Sequence, residues 1–289
     1  MPVVKVKDGE GHEITWNEVR PGEMYCDFPG IEERLAAADK FEARPDDVWV
    51  STYPKSGTHW TWEIVHMLIN GNAKINDIPK TMGFFEERDQ DHLDNIPSPR
   101  VLDTHLSYHR IPPDVWRKNC KIVYVMRNPK DVAVSFYNHS KGIIDYKYEG
   151  TWNGFFKLFT EGPKFEWGMW WENVLSWWEN ARNKSNVLFL TYEEMIKDSV
   201  AAVRKIAEFI GRPGTEELYK AIADACAFDK MKTLKTPTEP KCWKGENLMY
   251  RKGKVGDWKN WFTVAQNEHF DILHEERTKG TGIKLEFEI

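Results

Sequence analysis

The 289-residue chain is poor in several features, and each absence narrows what it can be. It has four cysteines, Cys26, Cys120, Cys226 and Cys242, widely separated and without a C-x-x-C pair. Neither a zinc knuckle nor a disulfide scaffold is indicated, and reduced, mostly buried thiols are the expectation. Long apolar runs are missing too: stretches such as residues 122–126 end after a few side chains, far short of the roughly 18 that span a bilayer. The N-terminal MPVVKVKDGE lacks the apolar core and small-residue cleavage site of a secretory signal, so a cytoplasmic protein with no membrane partner is expected. Positive charge is not in excess, with 40 Lys and Arg against 45 Asp and Glu and a net charge of -5. That balance argues against a nucleic-acid partner, because affinity for polyanions rests on surplus cations. It leaves room for one small anion held by a local cluster. Internal repeats, low-complexity tracts and long linkers are also lacking, which makes 1–289 one domain.

Aromatic side chains, by contrast, are abundant: 14 Trp, 15 Phe and 10 Tyr. Such rings fill cores and also build flat pockets, so the count alone does not choose between the two. Three short β-branched or aromatic runs, at 48–53, 121–126 and 187–192, predict buried strands, each followed by a helical pattern. The first helix spans 58–70 with Gly71 as its stop, the second opens at Asn128 with Pro129 in its first turn, and the third pattern covers 193–210 as one or two helices. Alternating strands and helices give an α/β fold with a central parallel sheet covered on both faces. Ligands of such sheets sit beyond the carboxyl ends of the strands, which directs attention to 53–60 and 127–135. The Pro- and charge-rich stretch 237–245 predicts a surface loop.

The segment Tyr53-Pro54-Lys55-Ser56-Gly57-Thr58-His59-Trp60 lies between the first strand and its helix. A glycine there lets backbone N–H groups approach an anion, the helix start adds positive partial charge, and Lys55 adds a full charge. The first glycine and terminal GK[ST] of a Walker A loop are missing, so a P-loop small-molecule kinase is the weaker alternative. Spacing alone leaves an ordinary strand-to-helix turn with a solvated Lys55 equally open.

This loop resembles the YPKSGTTW loop of the cytosolic sulfotransferases. Further matches follow in order: the segment Arg127 to Ser135 resembles the family's RNPKDVAVS, and Arg251 to Lys259 its RKGxxGDWK. The triplet Thr104-His105-Leu106 stands where the family keeps its catalytic histidine. The resemblance implies a P-loop-like strand-loop-helix and 3'-phosphoadenosine 5'-phosphosulfate as sulfuryl donor, with 3'-phosphoadenosine 5'-phosphate as product and no metal. It implies a donor site made of Lys55, Ser56, Gly57, Thr58 and His59 at the 5' end. Arg127, Ser135, Arg251, Lys252 and the Gly253 backbone would hold the 3'-phosphate. Trp60, Phe228, Tyr192 and Cys226 would surround the adenine. Lys55, His105 and Ser135 would form the catalytic group, with His105 as general base and Lys55 stabilising the leaving phosphate. Without the match, Arg251 and Lys252 read as a solvated basic loop and Trp60 as core.

Departures from the family pattern matter as well. His59 replaces a threonine, and Cys226 stands where a hydroxyl residue is usual. Asp103 stands where many animal relatives carry lysine, and an acid there is expected to raise the pKa of His105 or weaken sulfonate binding. A non-catalytic nucleotide-binding relative is the alternative that Asp103 suggests. His59, His109 and His139 are the other histidines placed to approach the site. The stretch Lys259 to Glu268 is similar to the family's KxxxTVxxxE motif and implies a homodimer, while locally Thr263 and Gln266 form a capping box. Trp170, Val174, Trp177 and Trp178 share one helical face and predict core packing. The partner is then a small-molecule acceptor, a phenol, alcohol or amine. Its pocket walls are expected from 83–85, 136–144 and 241–249, with Phe84, Phe85, Phe136 and Trp243 as apolar lining.

Overall fold

The computed structural model describes residues 3–26, 28–162, 164–238, 242–245 and 249–289. Its centre is a parallel sheet of β4 (Val48–Thr52), β5 (Val101–Thr104), β6 (Lys121–Met126) and β7 (Val187–Thr191), in the order β5-β4-β6-β7. Both faces of this sheet are buried, and alternate residues explain how. Trp49, Ile122, Tyr124 and Met126 pack into one core, while Val48, Val50, Val123 and Val125 pack into the other. Strands buried on both sides are rich in apolar residues on both, and the polar ones they hold, Ser51, Thr52, Asp103 and Thr104, are buried at the carboxyl ends of β4 and β5. The first and third strands stop one residue before the predicted ends: Tyr53 already belongs to the following loop, and Tyr192 opens a helix.

The helices follow the local signals. The 58–70 helix starts from Gly57 at φ 105° and stops at Gly71 at φ 63°, whose N–H bonds back to the last turn. Asn128 caps the 129–142 helix by accepting from the Asp131 N–H. The third pattern divides into Tyr192–Lys197 and Ser199–Phe209, capped separately by Thr191 and Asp198. On the 170–181 helix Trp170, Val174 and Trp177 are fully buried as expected, Trp178 is half-buried, and Trp171 is buried as well. Thr263 and Gln266 make the predicted capping box of the last helix, Val264–Thr278. Part of the predicted loop at 237–245 is also seen: 236–238 form a short 3-10 turn, and 239–241 lie outside the described residues. No helix among the described residues is long and apolar enough to cross a membrane.

Sequence does not single out the antiparallel sheet β1 (Val3–Lys7), β2 (Glu13–Arg20) and β3 (Glu23–Tyr25). These are short amphipathic strands whose lysines alternate outward, a much weaker signal than the buried runs. This sheet helps place the site. The Thr15 N–H donates to the Tyr146 carbonyl at 2.9 Å, and the Trp167 N–H donates to the Met24 carbonyl at 2.8 Å. It thereby fixes one wall of the cavity described next.

Candidate active site

The loops after β4, β5 and β6 open into one cavity of about 550 Å³. This is the topological switch of the sheet, where the chain leaves β4 for β5 on one side and β6 on the other. Its phosphate-loop end is built from residues distant in sequence. Lys55, at φ 69°, and Gly57, at φ 105°, turn the chain into the 58–70 helix. A side chain on Gly57 would place Cβ 3.0 Å from the Tyr192 ring, so the loop can take this path only with glycine there.

Around that loop stand the other predicted residues. Arg127 donates to the Lys55 carbonyl at 3.0 Å and to the Lys254 carbonyl at 3.2 Å, and its guanidinium lies 4.3 Å over the Tyr192 ring. Arg251 and Lys252 both contact Asp257, at 2.7 and 2.6 Å. Burial would raise the Asp257 carboxyl, but hydrogen bonds from Lys252, Asn260 and Arg251 outweigh it and hold the group down at about 2. Gly253, at φ 62°, runs beneath Phe228 so closely that a Cβ would lie 2.1 Å from the ring. Thr58, His59, Trp60, Ser135, Tyr192, Cys226 and Phe228 line the same cavity. Trp60 and Tyr192 meet edge to face at 5.6 Å. Cys226 is buried and its thiol donates to the Met67 sulfur at 3.9 Å, so that thiol is turned toward the core as well as bordering the cavity. Ser56 does not line it: its side chain is fully buried.

His105 follows β5 and is held from two sides. Its Nδ1 lies 2.8 Å from the Thr52 carbonyl, which can only accept, so Nδ1 carries the proton and Nε2 keeps its lone pair. Its backbone N–H and the Thr104 hydroxyl both donate to one Glu86 oxygen, at 2.7 and 2.9 Å. Burial pushes the Glu86 carboxyl up to about 8. The imidazole packs edge-on against Phe84 and Trp167, with centroids 5.3 and 5.4 Å apart.

The expectation that Asp103 raises the pKa of His105 is overturned. Asp103 forms a buried ion pair with Lys80, a residue 23 positions away that nothing in the sequence pairs with it. Burial first, and the Lys80 ammonium second, hold His105 well below the usual imidazole range.

The expected acceptor walls need a second correction. Phe84, Phe136 and Trp243 line the cavity, but Phe85 does not. Phe84 alone bridges to Asp103, and the chain turns at once over 85–87, which carries the next side chain away from the cavity face that Phe84 occupies. Phe85 therefore packs on Phe41 and Trp49, at 5.1 and 5.5 Å. Gly83 and Ile144 also lie off the lining, whereas His139 and Ile143 are on it. Residues 241 and 246–248 of the third expected wall lie outside the described residues. His109 sits on the 108–110 turn, away from the cavity, and His59 and His139 approach it.

The model of the sulfotransferase domain family matches residues 45–282. This chain belongs to the sulfotransferase family. It is 38% identical to Rattus norvegicus sulfotransferase 1C2 over 265 residues, covering 86% of this chain and 88% of that one. Identity to Homo sapiens sulfotransferase 1E1 is also 38%, over 281 residues, 92% of this chain and 94% of the relative. The crystal structure of mouse sulfotransferase SULT7A1 complexed with PAP superposes with a TM-score of 0.77 at 37% identity, covering 90% of this chain and 93% of that chain.

In this sulfotransferase several residues of the site escape sequence reasoning. Lys80 and Trp167 on the cavity lining, and Glu86 buried behind His105, gain their places only through tertiary contacts. His139, one of the histidines expected to approach the site, lies four residues after Ser135 on one helix, shares its face and lines the cavity. Its Nδ1 is 3.3 Å from the Lys55 ammonium, and the Met249 sulfur is 3.5 Å from the same group.

Proposed function

We propose that this sulfotransferase transfers the sulfuryl group of 3'-phosphoadenosine 5'-phosphosulfate to a hydroxyl, or an amine, of a small aromatic or alcohol acceptor. One observation carries the reading: cationic groups from opposite ends of the chain and a buried, neutral imidazole border the same cavity. The donor fits the residues present. The Ser56 hydroxyl, the Arg127 Nε and the Trp60 Nε1 are buried without a hydrogen-bond partner among the described residues, as expected where a polar ligand completes the bonding. Gly253 leaves the face of Phe228 uncovered by any side chain of its own, which suits stacking of a base.

In this reading Lys55, Gly57, Thr58 and His59 bind the 5' end, with Ser56 contributing from beneath the loop. Arg127, Ser135, Arg251, Lys252 and the Gly253 backbone bind the 3'-phosphate, and Trp60, Tyr192, Cys226 and Phe228 enclose the adenine. The bound donor supplies an activated sulfur with phosphate as leaving group. His105 takes the acceptor proton at Nε2 while Nδ1 stays on the Thr52 carbonyl, which keeps the ring in the tautomer a base needs. Lys55 offers positive charge where the leaving phosphate gains negative charge, the placement that contributes most to such reactions. Phe84, Phe136, Trp167 and Trp243 give the acceptor half an aromatic lining. The same reading takes 1–289 as one domain, requires no metal and puts the enzyme in the cytoplasm, a setting in which cysteines stay as thiols.

Isothermal calorimetry tests the donor assignment directly. 3'-Phosphoadenosine 5'-phosphate is expected to bind far more tightly than ATP, with no dependence on magnesium; preference for ATP with magnesium would make this a kinase. Turnover of a phenol, an alcohol and an amine then ranks the acceptor classes.

A homodimer through 259–268 belongs to the same proposal. Val264 is 76% exposed at the first turn of the last helix, inside the 259–268 stretch. Val264→Glu is expected to convert a dimer into a monomer in light-scattering chromatography without moving the thermal midpoint. A variant that keeps the wild-type mass would place the interface elsewhere.

A further inference from the structure

Lys80 and Asp103 form an ion pair whose side chains are only 5% and 0% exposed. Desolvating two charges costs about as much as their attraction returns, and an apolar pair of similar volume often serves stability equally well. A purely structural role therefore explains the pair poorly. Its position suggests a use: Lys80, although buried, lines the cavity together with His105, Phe84 and Trp167. Its ammonium stands 4.2 Å over the Phe84 ring, which itself packs against His105.

The ammonium is also held in place by its surroundings. The Met82 N–H donates to the Pro79 carbonyl and the Gly83 N–H to the Lys80 carbonyl, at 3.1 and 3.0 Å. Asp103 and the 83–85 segment exchange two backbone hydrogen bonds, at 3.0 and 2.9 Å. Gly83 lies so close to β5 that a Cβ would be 2.4 Å from the Val101 carbonyl oxygen. Lys80 thus reaches the cavity from a turn clamped to the strand that carries the base.

Resting on the sulfuryl-transfer reading above, we propose that Lys80 is a catalytic residue whose ammonium faces the acceptor oxygen, and that Asp103 is the positioning residue that holds it there. The acceptor O–H bond breaks with its proton passing to His105 Nε2, and an oxygen–sulfur bond forms. The bond from sulfur to the phosphate oxygen breaks, its electron pair leaving on that oxygen. The ammonium stabilises the negative charge that gathers on the acceptor oxygen as the proton departs. It lowers the proton affinity of oxygen and imidazole together, so the difference that drives transfer changes little while the base stays neutral. Among the described residues, the ionisable groups around this region include Lys55, His59 and His139 from the phosphate loop and the helices after β4 and β6, Glu86 and Glu87 from the segment beside β5, and Glu166 next to Trp167.

The test uses the full chain with 4-nitrophenol as the probe. Lys80→Met alone would leave Asp103 buried without its cation, so the diagnostic variant is Lys80→Met with Asp103→Asn. It is checked by its thermal midpoint and its affinity for 3'-phosphoadenosine 5'-phosphate, neither of which should change. Its kcat should fall by about 10²-fold, the usual effect of removing one preorganised donor. In the complex with 3'-phosphoadenosine 5'-phosphate, the visible absorbance of bound 4-nitrophenol should titrate below that of the free phenol in wild type. That shift should vanish in the double variant. Asp103→Asn alone keeps the ammonium but removes the carboxylate that holds it, so the shift of bound phenol should shrink and kcat should fall part of the way toward the double variant; a wild-type shift and kcat in Asp103→Asn would overturn its positioning role. A wild type that leaves the phenol unshifted, or variants that alter only the thermal midpoint, would overturn the proposal. Failure of the sulfuryl-transfer reading itself looks different, because wild type would then bind ATP in preference to 3'-phosphoadenosine 5'-phosphate.

Discussion

His105→Ala is expected to lower kcat for a simple phenol by about 10²- to 10⁴-fold, the range that a positioned general base supplies. Affinity for 3'-phosphoadenosine 5'-phosphate should be unchanged, because the donor groups lie on other loops. The pH dependence makes the prediction sharper. Burial, and after it the Lys80 ammonium, hold the imidazole well below its ordinary value of 6.5, and the bond to the Thr52 carbonyl only partly opposes them. A base must be neutral before it accepts a proton. The acid limb of kcat/KM in wild type should therefore fall below pH 6.5, with activity retained from there upward, and His105→Ala should lose that limb. Equal rates in the two proteins would remove His105 from its role.

Gly253→Ala should have a comparably large effect on a different step. The new Cβ would lie 2.1 Å from Phe228 Cδ2 and 2.5 Å from Cγ, far inside contact distance, so the loop or the ring must move by about 1 Å or more. The backbone there is also left-handed, at φ 62°, which costs a residue with a side chain about 1–2 kcal/mol. Displacing the 251–254 loop moves Arg251 and Lys252 away from Arg127 and Ser135. An ångström of misplacement in such a site costs about 10²-fold. Calorimetry should show 3'-phosphoadenosine 5'-phosphate binding weakened by that order, with the thermal midpoint lowered by only about 2–8 °C, as a cost of about 1–2 kcal/mol implies. Wild-type affinity in this variant would separate the 251–254 loop from donor binding.

Much of this protein is legible locally because the decisive signals are short. The three buried strands stand out as short runs rich in β-branched and aromatic residues, Gly71 and Asn128 mark helix ends by their own backbone chemistry, and Lys55 to Trp60 is one contiguous segment. Phe85 leaves the expected wall because the chain bridges to β5 only at Phe84 and turns immediately after it, carrying the next ring into the core. The antiparallel sheet at 3–25 was missed because short, half-polar strands gain most of their stability from partners that sequence does not display.

The sequence by itself determined the family, the α/β class and the loops that carry charge, since each is written in contiguous residues with a local physical meaning. Tertiary structure decided the state of those charges. Only the folded chain brings Lys80 onto Asp103, reverses the expected shift of His105, sets His139 beside Lys55 and lays Gly253 under Phe228. The physical reason is range: backbone preference acts over a few residues, whereas desolvation and Coulomb forces act between groups that the fold alone makes neighbours.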